Sequence, residues 1–271
     1  MNAPRASEGP AAPAPEAARR RLRGAPPALA PDCALFLDID GTLLHLAVTP
    51  ARVHVDGEVA VLLPALAARL GGALALITGR AIADADRLFP ELALPIAGQH
   101  GCERRAANGT YHRHAAAATD LARLRYGLSE LVRRHDGLLL EDKGATLALH
   151  YGLAPQLAAY VHRAVRAEVA LAAAAGATLK VQRGKRIVEV KPDGRDKGTA
   201  ILEFMAEPPF RGRRPVFAGD DLTDELGFAA VQRLGGWAVK VGPGATRAHH
   251  RLPDVDAVRQ WLAAALRGET A

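Results

Sequence analysis

Short, continuous apolar runs punctuate the chain at residues 34–37, 73–77, 94–97, 215–218 and 237–241. Runs of this kind are expected of strands covered on both faces. Between the first three lie helical stretches. Residues 59–70 carry leucines and valines at spacings of three and four, and residues 81–89 follow Gly79-Arg80. Strands alternating with helices predict a parallel sheet flanked on both faces, a doubly wound, Rossmann-like α/β core.

The middle of the chain has a different rhythm. Residues 119–135 read as an amphipathic helix. Two strand-like runs follow at 138–141 and 145–151, with Lys143-Gly144 as the turn between them. Residues 155–175 form a long alanine-rich helical stretch. Two more strand runs, 177–182 and 186–190, are joined through Gly184. Hairpin connections are antiparallel, so this segment predicts a separate α+β lobe inserted into the parallel sheet. The expected organisation is a disordered Ala/Pro/Arg-rich tail over 1–30, a core over 31–111 and 191–271, and an inserted cap domain over 112–190.

Charge narrows the partners. The chain of 271 residues carries a formal +6, which suits nucleic acid, an anionic membrane or a phosphorylated substrate. Part of that excess sits at Arg5, Arg19, Arg20, Arg21 and Arg23. Aromatic residues make up only 4%, too few for a base-stacking surface beside the basic residues. The charge therefore points to a phosphorylated small molecule and away from nucleic acid. No apolar run reaches the roughly 18 residues of a membrane span, and the N-terminus lacks the apolar core of a secretory signal. Cys33 and Cys102 lie far apart without metal-ligand spacing. They read as reduced thiols, and the expected setting is a cytoplasmic monomer.

Candidate chemistry gathers where strands end. Asp38-Ile39-Asp40-Gly41-Thr42 closes the first apolar run, and ligands of open parallel sheets bind outside the carboxyl ends of strands. Thr78-Gly79-Arg80 closes the second, offering a hydroxyl and amides to a phosphoryl oxygen, or a plain helix cap. Asp196-Lys197-Gly198-Thr199 opens a helix, where a lysine can set a fixed positive charge beside a phosphate. Gly219-Asp220-Asp221-Leu222-Thr223-Asp224-Glu225 is acidic enough to repel itself unless a cation or lysine neutralises it. Its hard oxygen donors suit Mg²⁺.

These four motifs in this order resemble the haloacid dehalogenase (HAD) superfamily of phosphatases, over roughly residues 33–250. The resemblance implies Asp38 as nucleophile and Asp40 as the acid that protonates the leaving oxygen and then activates water. It implies Mg²⁺ held by Asp38, the backbone carbonyl of Asp40, and Asp220. It also implies Thr78 and Lys197 as groups that stabilise the transferring phosphoryl. Asp224 is expected to orient Lys197 or a metal-bound water, and Asp221 to serve either purpose. Ile39, Gly79 and Arg80 complete the expected phosphate-side contacts.

Strand alternation in the inserted lobe places Glu141 with Lys143, Thr146 with His150, and Glu189 with Lys191 on shared faces. That predicts one sheet face on helices and one polar face open to a substrate, or simply to solvent. The segments 97–101, 141–144, 147–151, 184–192 and 219–225 look like those of trehalose-6-phosphate phosphatases. By that resemblance Glu141, Lys143 and Glu189 are the expected sugar contacts, and Gln99 and His100 line the junction between lobes. Phosphatases of sucrose 6-phosphate or mannosylglycerate phosphate are the nearest alternatives. A catalytically silent sugar-phosphate-binding regulatory module is the alternative of another class.

Overall fold

The computed structural model describes residues 24–46, 55–90, 92–114, 118–184 and 186–268. Residues 1–23 of the tail expected to be disordered lie outside them, but residues 24–30 are packed: Leu29 joins the core and Trp261 Nε1 donates to Pro27 O at 2.9 Å. In chain order the elements are β1 (Cys33–Leu37), α1 (Gly57–Arg69), β2 (Leu74–Ile77), α2 (Ile82–Leu88), β3 (Ile96–Gly98), β4 (Glu103–Arg105) and β5 (Tyr111–Arg113). Then come α3 (Ala118–Arg133), β6 (Leu139–Asp142), β7 (Leu147–His150), α4 (Ala158–Ala174), β8 (Leu179–Gly184) and β9 (Ile187–Pro192). The chain finishes with α5 (Lys197–Met205), β10 (Arg214–Gly219), α6 (Asp224–Arg233), β11 (Trp237–Val241), β12 (His250–Leu252) and α7 (Val255–Arg267).

Two sheets result among the described residues. The larger runs β12-β11-β10-β1-β2-β3-β4-β5, parallel from β12 to β3 and antiparallel at β4 and β5. Its central parallel strands are buried on both sides because helices cover both faces, whereas β5 is largely exposed. Leu35, Leu37, Leu74 and Leu76 pack with Leu63 and Leu66 of α1 and Val258 and Leu262 of α7. Phe36, Ala75 and Phe217 pack on the other side with Ile201 and Phe204 of α5 and Phe228 of α6. Alternate residues of one strand thus feed two cores, which is why the sequence shows a continuous apolar run rather than an alternation.

The smaller sheet, β6-β7-β9-β8, is antiparallel throughout. One face packs Leu147, Leu149, Val188 and Val190 against Leu124 and Leu128 of α3 and Val161 and Val165 of α4. The opposite face aligns Glu141, Ala148, Glu189 and Gln182 in register across the four strands. The fold is therefore a doubly wound α/β core with an α+β cap.

Topology places the chemistry. β1 lies between β10 and β2, so the chain departs in opposite directions from neighbouring strand ends. Such a switch point leaves an open crevice at the carboxyl edge of the sheet. Asp38 follows β1 there, Asp220 follows β10 and Thr78 follows β2. The Asp38 amide donates to Ala218 O at 3.0 Å, which locks the first two strand ends together.

Candidate active site

Asp38 is buried beneath this crevice. Its Oδ1 accepts a hydrogen bond from Lys197 Nζ at 2.7 Å. The same ammonium donates to Asp224 Oδ1 at 2.6 Å. Lys197 is 3% exposed. It opens α5, whose start is fixed by a capping box in which Asp196 accepts from the Thr199 amide and Thr199 accepts from the Asp196 amide. Gly198 allows α5 to touch α6, since a Cβ there would lie 2.6 Å from Leu226 O. Asp224 begins α6, and its second oxygen accepts from the Asp221 amide at 2.8 Å.

Asp38, Asp220 and Asp224 each offer an oxygen, and the three lie within 4.8 Å of one another. Gly41, at φ +84°, makes room for this cluster: a Cβ there would sit 2.3 Å from Asp220 Oδ2. Three carboxylates share one ammonium, so negative charge is in excess. Burial pushes the Asp38 carboxyl well above its ordinary range, and the neighbouring Asp224 and Asp220 add to the rise against the pull of Lys197. Burial also lifts Asp220 to about 6, again with help from Asp224. Lys197 pays for its burial through Asp224 and Asp38, which hold its ammonium above the usual lysine range. An all-oxygen, electron-rich cluster of this kind fits a hard divalent cation. Lys240 adds a positive charge from β11, donating to the carbonyls of Asp220 and of Val241, the latter at 2.9 Å.

Asp40 points a different way. Arg80 Nε donates to its Oδ2 and Arg80 Nη2 to its Oδ1, both at 2.6 Å. Thr78 is fully buried, and its Oγ1 accepts from the Arg80 amide at 3.1 Å. Ile39, expected to touch substrate, buries its side chain in the core beside Leu43 and Leu44. It has backbone groups alone to offer a ligand.

The cap reaches down onto this edge. A cleft of about 740 Å³ runs between the sheets, lined by Asp38, Asp40, Arg80, Lys197, Asp220 and Asp221 below. Glu141, Lys143, His150, Gln182, Ile187 and Glu189 line it from above. Glu189 lies 2.9 Å from His100 Nε2 and 3.3 Å from Lys143 Nζ, and its Oε1 accepts from Thr146 Oγ1 at 3.2 Å. Burial disfavours its charge, but His100 and then Lys143 override that and hold the carboxyl far below the usual range. Gln99 donates to Lys143 O at 2.7 Å and accepts from Thr146 Oγ1 at 3.0 Å. Lys143 Nζ also donates to Gly79 O at 3.2 Å. Glu141 is bonded to His150 Nε2 at 2.8 Å, which depresses its proton affinity.

Gln99 and His100 achieve this reach from an unusual backbone, with φ of 47° and 55° on consecutive non-glycine residues. The His100 ring lies over Gly79, where a Cβ would meet it at 2.8 Å. Of the expected site residues, Asp38, Asp40, Gly79, Arg80, His100, Glu141, Lys143, Glu189, Lys197, Asp220 and Asp221 line one cleft, Thr78, Gln99 and Asp224 lie buried against that lining, and the Ile39 side chain lies in the core. His150, Thr146 and Lys240 were not among them. Strand alternation had put Thr146 and His150 on one face, and that shared face was the available signal.

The sequence model of the trehalose-phosphatase family matches residues 36–254. The chain belongs to the trehalose-phosphatase family. It is 43% identical over 243 residues to the trehalose-6-phosphate phosphatase of Escherichia coli, covering 87% of each chain. It is 45% identical over 233 residues to a probable trehalose-phosphate phosphatase of Sinorhizobium fredii, covering 85% of this chain and 86% of that one. The C-terminal domain of the Candida albicans trehalose-6-phosphate phosphatase superposes with a TM-score of 0.75 at 21% identity, over 88% of this chain and 92% of that domain. The chain shares its fold with a haloacid dehalogenase-like hydrolase from B. subtilis, which superposes with a TM-score of 0.59 at 15% identity over 86% of this chain and 99% of that one. A member of the trehalose-phosphatase family is a phosphoric monoester hydrolase, and the acidic cluster is consistent with a metal site. Among the described residues no helix is long and apolar enough to cross a membrane, and both cysteines are free and buried.

Proposed function

We propose that the chain hydrolyses trehalose 6-phosphate to trehalose and inorganic phosphate. One observation carries this reading: Asp38, Lys197 and Asp220 converge directly beneath the polar face of the cap that presents Glu141, Lys143 and Glu189.

The buried Asp38 carboxylate attacks phosphorus, forming a new P–O bond while the bond to the sugar oxygen breaks. Asp40 supplies the proton that the departing oxygen takes. In the second half, Asp40 removes a proton from water as the water oxygen attacks the aspartyl phosphate. The P–O bond to Asp38 then breaks, and phosphate leaves. Lys197 faces the charge that develops on the phosphoryl oxygens, with the Thr78 and Gly79 region closing the other side. Mg²⁺, held by Asp38, Asp220 and the Asp40 carbonyl, would supply charge neutralisation between the anionic nucleophile and the phosphate. Asp224 has both oxygens committed to Lys197 and the Asp221 amide, so it orients the lysine.

The smaller sheet with α3 and α4 acts as one cap body, tethered near residues 114 and 192. Its Glu141 and Lys143 hydrogen-bond sugar hydroxyls, and Glu189 and His100 join it to the core. A phosphate-release panel tests the reading. Trehalose 6-phosphate should be turned over with Mg²⁺ and not in chelator, and preferred over sucrose 6-phosphate and mannosylglycerate phosphate. A marked preference for either of the other two removes trehalose 6-phosphate from the reading.

A further inference from the structure

We propose that Arg80 is the positioning residue that aims the general acid–base Asp40, and not a ligand of the substrate phosphate. The inference rests on the role given to Asp40 above. The fork of two 2.6 Å bonds engages both oxygens of one carboxyl, which fixes its plane as well as its position. Asp40 sits in a turn, between Ile39 and Gly41, so its backbone alone leaves the side-chain torsions to be set by what it touches.

Arg80 is itself held rigidly. Its amide donates to Thr78 Oγ1 at 3.1 Å, and its carbonyl accepts from the Gln99 amide at 2.8 Å. Strand β3 backs the same carbonyl closely, since a Cβ on Gly98 would lie 2.8 Å from it. The Arg80 side chain is 12% exposed, against 29% for Asp40. The guanidinium is therefore the more buried partner and springs from a fixed backbone, which suits it to aim the more exposed carboxyl. Two of the five guanidinium donors are committed this way, in a geometry that lysine cannot copy.

The two possible roles of Arg80 separate by leaving group. A phosphate ligand matters for every monoester. A residue that aims the proton donor matters only when the departing oxygen needs a proton. A sugar alkoxide needs one and p-nitrophenolate does not.

The test is a single turnover of the full chain with Mg²⁺, enzyme in excess, following release of trehalose or of p-nitrophenol. This isolates the first step, because Asp40 serves both substrates alike in the second. In Arg80→Gln, trehalose release should slow on the order of 10²-fold, and p-nitrophenol release should stay within about threefold. Asp40→Asn should show the same split, and Arg80→Gln/Asp40→Asn should be no slower than Asp40→Asn alone. Arg80→Lys should recover part of the trehalose rate, and it carries the test if the glutamine variant fails to fold. Equal slowing of both esters by Arg80→Gln, or losses that multiply in the double variant, overturns the proposal. If Asp40→Asn slows both first steps equally, the acid role of Asp40 falls and takes this inference with it.

Discussion

His100 Nε2 lies 2.9 Å from Glu189 Oε2, and this contact joins the edge of the catalytic sheet to the floor of the cap. One partner follows β3 and the other lies within β9. The loop after β3 and the cap sheet are therefore not independent surfaces.

Removing that contact should weaken the chain and its grip on substrate. In His100→Ala the buried Glu189 loses a bond made to a charged group, typically worth about 1.5–3 kcal/mol. Urea denaturation should show a loss of that order, and KM for trehalose 6-phosphate should rise more than kcat falls. A variant with unchanged KM would detach His100 from substrate recognition.

Asp38→Asn should abolish turnover with little change in fold. The amide retains shape and loses the nucleophilic charge, and losses of such groups are on the order of 10⁴-fold or more. Phosphate release by protein freed of contaminating phosphatases checks the rate, and circular dichroism checks the fold. Activity within tenfold of the parent enzyme would rule out this nucleophile.

Metal and pH should be linked through the acidic cluster. Asp220 rises from the usual 3.8 to about 6, so the folded chain holds its proton more tightly than the unfolded chain does. Its contribution to stability is full below about 3.8 and is lost as pH rises through about 6. Asp38 moves in the same direction. Calorimetry should find that Mg²⁺ raises the melting temperature of the apoprotein more at pH 7.5 than at pH 5. Equal shifts at both values would break the link between these carboxyls and the ion.

Gly41→Ala should fail at the same place for a steric reason. The backbone sits at φ +84°, and the added carbon would fall 2.3 Å from Asp220 Oδ2. Strain of about 1–3 kcal/mol is expected from such a residue. Mg²⁺ titration should show weaker binding as Asp220 is displaced. Parent-like binding would place the ion elsewhere.

The reactive half of the molecule was legible because its signals are local. Buried parallel strands write themselves as apolar runs, and the acidic residues that close them meet at one crevice. What escaped was the antiparallel extension of the larger sheet. Glu103-Arg104-Arg105 and Tyr111-His112-Arg113 are too polar to read as strands. They are tolerated at the sheet edge because Arg104 pairs with Glu203 and Glu207, and Arg105 with Asp86. The fork between Arg80 and Asp40 was equally hidden, since the two lie 40 positions apart and meet only when β1 and β2 are neighbours. In the cap, alternation exposed which side chains share a face, but not that Thr146 and Gln99 bond at the buried junction of cap and core.

The left-handed backbone at Gln99 and His100 carries a wider lesson for engineering. Glycine would adopt those torsions without strain, yet it would strip away the side chains that bond Lys143, Thr146 and Glu189, so the relief would not stabilise the chain. Torsions held out of the ordinary by their own side-chain contacts are poor targets for backbone relief, and a stabilisation campaign would do better to leave both positions alone.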